Sequence, residues 1–119
     1  MKKIPPQFEK IKQHVLGKTY DLSVAFLSPQ EMRSVTRRTK KKNKASNVLA
    51  FPLSKTSGEI LICKDTAYTQ APLYHMGKRN FVVYLFIHGL LHLQGLGHGV
   101  TMESEERRIM KKFGLGAHE

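Results

Sequence analysis

Residues 81–93 read Phe-Val-Val-Tyr-Leu-Phe-Ile-His-Gly-Leu-Leu-His-Leu, with apolar side chains on almost every helical face. A run of that length exceeds a typical strand, so it predicts a helix buried on all sides, around which the rest of the chain must pack. It does not predict a membrane span. The longest apolar stretch, residues 81–96, is interrupted by His88, Gly89, His92, Gln94 and Gly95 and falls short of the ~20 residues a bilayer requires.

The remaining patterns supply what packs against this helix. Phe8, Ile11 and Val15 recur at helical spacing before Gly17, which predicts a short first helix. Residues 20–27 alternate apolar and polar side chains as a half-buried strand does, and Ser28-Pro29-Gln30-Glu31 then reads as the capped start of a helix reaching about Thr39. Residues 48–51, closed by Pro52, and residues 58–62 predict two further strands, joined by a Ser/Lys-rich link. Residues 66–76, with Pro72 in their middle, predict a loop or irregular element, and residues 102–113 a final amphipathic helix. The expected fold is α+β: one domain over residues 1–119, with a small mixed sheet packed on the central helix and further helices.

Three of the six histidines fall in the stretch His88-Gly-Leu-Leu-His92-Leu-Gln-Gly95-Leu-Gly-His98. On a helix His88 and His92 stand one turn apart on one face, about 6 Å between Cβ atoms. Gly95 can adopt the left-handed conformation that ends a helix and turn His98 toward the same point. Three neutral imidazoles with a fourth position left to water form a donor set suited to one Zn²⁺ ion, and the open position marks catalytic rather than structural sites. His14, His75 and His118 lack partners at metal spacing and are read as surface histidines. The spacing equals that of the zinc proteases with His-Glu-x-x-His-x-x-Gly-x-x-His, yet Gly89 stands where their general-base glutamate would be. A peptidase therefore lacks its proton acceptor.

Charge narrows the substrate. With 20 Lys and Arg against 9 Asp and Glu, the formal net charge of +11 exceeds the magnitude of about 2 to 8 that solubility asks of a small domain. Arg33, Arg37, Arg38, Lys40, Lys41, Lys42 and Lys44 crowd one segment, and no acidic residue occurs between Met32 and Gly58. Such a segment predicts phosphate-backbone binding, with nucleic acid as the first candidate partner and an acidic membrane surface as the second. Tyr68 and Tyr74 are candidates for base stacking. Cys63 has no disulfide partner in the chain and is read as a buried thiol without a role. The N-terminal residues 1–13 contain no apolar signal core, and together these features predict a cytoplasmic protein.

The segment His88-Gly89-Leu90-Leu91-His92-Leu93-Gln94-Gly95-Leu96-Gly97-His98 resembles His-Gly-x-Leu-His-Leu-x-Gly-x-Asp-His, the signature of the YbeY endoribonuclease or rRNA maturation factor family. Ser46-Asn47-Val48-Leu49-Ala50-Phe51-Pro52 is similar to that family's Thr-Asn/Asp-Val-Leu-Ser-Phe-Pro, and Gly58-Glu59-Ile60 to its Gly-Asp-Ile. Met102 with Glu105 or Glu106 resembles its C-terminal helix. The likeness spans roughly residues 22–110. It implies a metal-dependent, single-strand-type endoribonuclease of rRNA maturation and ribosome quality control, partnered by rRNA and ribosomal particles. His88, His92 and His98 would be the metal ligands.

Two positions depart from the family pattern. Gly97 replaces the usual aspartate before the third histidine, removing a group that could orient an imidazole or accept a proton. Glu59 is the nearest family-matched carboxylate that could substitute for it. Lys40 falls where the family carries arginine, keeping the charge but losing the bidentate fork. Catalysis is accordingly expected from Lys40, Glu59 and His92, and phosphate binding from Arg33, Arg37, Arg38, Lys40, Lys41, Lys42 and Lys44. The alternative is a non-catalytic rRNA- or ribosome-binding assembly factor in which zinc is a structural clamp.

Overall fold

The computed structural model describes residues 4–39 and 47–115. Its elements run α1 (Pro6–Leu16), β1 (Asp21–Phe26), α2 (Pro29–Thr39), β2 (Val48–Ser54), β3 (Ser57–Ile62), α3 (Lys64–Gln70), a 3-10 turn (Ala71–Tyr74), α4 (Lys78–Gln94) and α5 (Val100–Lys112). The fold is α+β.

The apolar run forms α4, where Phe81, Val82, Val83, Leu85, Phe86, Ile87, Gly89, Leu90 and Leu91 are buried. Burial on so many faces requires neighbours on all sides, and α4 packs against α1, α3, α5, β2 and β3. From α1 come Phe8 and Ile11, and the Phe8 ring stacks on Phe86 at 4.0 Å. The three strands lie in the order β1-β3-β2, with β1 parallel and β2 antiparallel to the central β3.

Period-two alternation gives this sheet two covered faces. Leu22, Val24, Ile60 and Ile62 join the α4 core. Leu49, Leu61 and Cys63 face the other way, where Met32 and Val35 of α2 cover them. The helix α2 starts as its sequence predicts. The Ser28 hydroxyl accepts from the Glu31 amide at 3.1 Å, and the Glu31 carboxylate accepts from the Ser28 amide at 2.8 Å, a reciprocal capping box.

Two sequence expectations change. Strand β2 does not stop at Pro52 but continues to Ser54 with a bulge between Pro52 and Ser54. As an edge strand it tolerates a residue with no amide donor. The segment expected to be irregular contains α3 and the 3-10 turn, whose buried contacts are Ala67 and Ala71, one turn apart. Alanines at that spacing bury little area, so they leave a weak periodic signal.

Candidate metal centre

Helix α4 carries His88 and His92 one turn apart, and the chain then ends the helix at Gly95 (φ +111°). The Gly95 amide donates to the His92 carbonyl and the Leu96 amide to the Leu91 carbonyl, each at 3.0 Å, the two bonds of a Schellman cap. This turn brings His98 back over the helix end. One nitrogen from each of His88, His92 and His98 lies within 4.8 Å of the other two, and the Nε2 atoms of His88 and His92 are 3.2 Å apart. The three rings crowd at centroid separations of 4.7 to 5.1 Å. Three imidazole nitrogens converging on one point are a donor arrangement that can hold a divalent ion.

The cluster is partly open. His98 is exposed and the other two are half-buried, and among the described residues these three form the one group of His, Cys, Asp or Glu side chains placed to hold a metal.

Behind the cluster stands a residue that the sequence left undistinguished from its neighbour. Glu106 on α5 is only 3% exposed. One carboxyl oxygen lies 2.5 Å from His88 Nδ1 and the other accepts from the Tyr84 hydroxyl at 2.9 Å. A carboxylate accepting from Nδ1–H leaves the Nε2 lone pair directed into the cluster, the usual bracing of a metal-ligating histidine. Burial first, then the charge and hydrogen bond of Glu106, hold the Tyr84 phenol well above its ordinary pKa, so it stays a donor. Glu105, by contrast, lies on the outer side of α5 and pairs with Arg108.

The other predicted site residues that are described lie elsewhere. Glu59 shares its strand face with Leu61, the α2 side of the sheet, whereas Gly58 and Ile60 face α4. The structure therefore does not bring Glu59 to the histidines. A one-residue offset along a strand reverses the face, which spacing alone could not reveal. Arg33, Arg37 and Arg38 are exposed on α2, in the layer across the sheet from α4. Lys40, Lys41, Lys42 and Lys44 lie outside the described residues, as does His118. Gly97 is exposed, and a Cβ added there would meet nothing within 4 Å. At Gly89 it would press on Ile60 at 3.0 to 3.3 Å, so a glutamate there would enter the core instead of the cluster. Cys63 is buried against the Thr66 hydroxyl, and no described helix is long and apolar enough to cross a membrane.

Comparison with known proteins agrees with this geometry. Residues 2–114 match the family described as Endoribonuclease YbeY. Relatives of that name include one from Finegoldia magna (strain ATCC 29328), 29% identical over 115 residues, 87% of this chain and 75% of the relative. Another, from Staphylococcus aureus (strain JH9), is 29% identical over 128 residues, 92% of this chain and 82% of the relative.

Proposed function

Since the chain belongs to the Endoribonuclease YbeY family, we propose that it is a metal-dependent endoribonuclease of rRNA maturation, holding one Zn²⁺ ion on His88, His92 and His98. The observation that carries this reading is the cluster itself: three imidazole donors within 4.8 Å of one another, open to solvent on the His98 side. A structural zinc site closes with four protein ligands, whereas three ligands beside solvent leave room for a substrate oxygen. That distinction favours catalysis over a structural clamp.

A bound zinc ion at such a site supplies Lewis-acid polarisation of a phosphoryl oxygen and acidifies water. The chain's own residues supply the rest. Glu106 accepts a hydrogen bond from His88 Nδ1–H and so favours the tautomer with a free Nε2, and the Tyr84 hydroxyl donates to the second oxygen of Glu106. Arg33, Arg37 and Arg38, with Lys40, Lys41, Lys42 and Lys44 after them in the chain, attract the RNA backbone. Such contacts set affinity and leave base sequence unread. The partners are rRNA and ribosomal particles, which places the reaction in the cytoplasm.

The test pairs the zinc-loaded chain with His92→Ala on a structured rRNA precursor fragment. Cleavage that is lost in the variant while RNA binding persists supports the reading. Equal, negligible cleavage by both, with tight salt-sensitive binding, would replace it with a ribosome-assembly role.

A further inference from the structure

Against Glu106, the residue that contacts His88, a cavity of about 590 Å³ opens between Met76 ahead of α4, Tyr84 of α4, α5 and the residues that follow α5. Its size falls within the 300 to 1,000 Å³ of ordinary ligand pockets. Met76, Tyr84, Met110 and Leu115 form its apolar walls. Glu103, Arg107 and Lys111 stand at its edge, all exposed and one helical turn apart along a single stripe of α5. The innermost polar wall is Glu106, the side chain that holds His88. An occupant of this cavity therefore sits one side chain away from the candidate metal ligands. Tyr84 is the aromatic ring of the lining, and behind it the exposed Tyr74, stacked on Phe81, has its ring centroid 6.3 Å from that of Tyr84.

The chemistry of these walls is specific. Aliphatic and aromatic surface suits a planar ring, Glu103 can accept from an exocyclic amino group, and Arg107 and Lys111 present two cations within a turn for an adjacent phosphate. Neither cation forms a salt bridge with a described residue. We propose that this cavity is a nucleotide subsite, taking one unstacked base of the single-stranded RNA substrate while Arg107 and Lys111 hold its phosphate. The inference rests on the endoribonuclease reading above, and it assigns that enzyme a base-binding position distinct from the basic residues of α2. A base seated here anchors the strand next to the histidine cluster, so that the neighbouring phosphate is presented to the metal centre.

Methionine methyl groups report directly on the cavity, because Met76 and Met110 line it while Met32, on α2, is buried against the opposite face of the sheet. The zinc-loaded chain, ¹³C-labelled at its methionine methyls, would be titrated with a single-stranded adenylate decamer, with an abasic strand of equal length and with adenosine monophosphate. RNA affinity would be followed in parallel by anisotropy and rRNA cleavage scored separately. The expected result is that the decamer shifts the Met76 and Met110 methyls and leaves Met32 unmoved, and that the abasic strand moves none. The double variant Arg107→Ala/Lys111→Ala, altered only at exposed positions, should bind the decamer about tenfold more weakly. A decamer that binds without moving Met76 and Met110 overturns the subsite and leaves the endoribonuclease reading intact. Shifts with the mononucleotide alone overturn the placement of the strand and assign the cavity to free nucleotides. Shifts with the decamer in an enzyme that cleaves no rRNA support the subsite and overturn the parent reading.

Discussion

Both carboxyl oxygens of the buried Glu106 are engaged, one by His88 and one by Tyr84, so its removal releases the ring it braces. Loss of such a partner typically costs 10- to 100-fold in metal affinity. Glu106→Ala should therefore weaken zinc binding by about that factor in a chelator competition, and Glu106→Gln, which retains an acceptor oxygen, should weaken it less. Equal affinity in all three proteins would remove Glu106 from the site. Tyr84 makes a separate, pH-dependent prediction. Its pKa is raised in the folded chain by burial and by Glu106, above the ordinary phenol value of 10. The unfolded chain then releases this proton first as pH rises, so stability is complete below about pH 10 and falls above it. Denaturant midpoints taken between pH 9 and 11 should decline in the parent and decline less in Tyr84→Phe. The sequence could not separate Glu105 from Glu106, because adjacent positions on a helix differ only in which neighbour they meet. Docking α5 on α4 makes one a surface partner of Arg108 and the other a buried partner of His88.

At the scale of elements, two glycines position α4. Gly89 permits the helix to lie close on the sheet, since an added Cβ would meet Ile60 at 3.0 Å. Gly89→Ala gains about 1 kcal/mol of helix propensity but presses on the fully buried Ile60, an overpacking that ordinarily costs about 1–3 kcal/mol, so the fold should be destabilised by up to about 2 kcal/mol. A raised urea midpoint would show that the contact yields freely. Gly95 ends α4 at φ +111°, where a side chain is disfavoured by about 1–2 kcal/mol. Gly95→Ala should lower stability and weaken zinc binding together, because the same cap returns His98 to the cluster. This part of the site was legible beforehand: the four-residue spacing put His88 and His92 on one face, and only a residue free to take positive φ could redirect the third histidine. The helix α3 was less legible because its buried face consists of Ala67 and Ala71. Gly97 offers a complementary test, for an aspartate there meets open space. Gly97→Asp should fold normally, and a rise in rRNA cleavage would identify a proton acceptor that the natural site lacks.

For the whole molecule, the net charge of +11 makes association with RNA an ionic-strength measurement. Affinity should fall linearly on a logarithmic scale with salt, with a slope of roughly −0.7 per phosphate contacted on a single strand. A flat dependence would exclude backbone contacts as the main source of binding. Metal removal acts on the entire fold as well, because an ion that binds only the native chain stabilises it by mass action, about 2.7 kcal/mol at a hundredfold excess over Kd. Chelation should lower the melting temperature of the parent and leave His98→Ala unmoved. The sequence by itself determined the buried central helix, the strand segments, the histidine cluster and the excess of positive charge. Each of these follows from local periodicity, from the left-handed freedom of one glycine or from counting, none of which needs the rest of the chain. Only the tertiary structure decided that Glu59 and Arg33, Arg37 and Arg38 lie on the α2 side of the sheet, that Glu106 rather than Glu105 braces His88, and that a cavity adjoins it. Those outcomes depend on which faces of separate elements are pressed together, and the free energy that selects them comes from burying apolar surface between segments far apart in the chain.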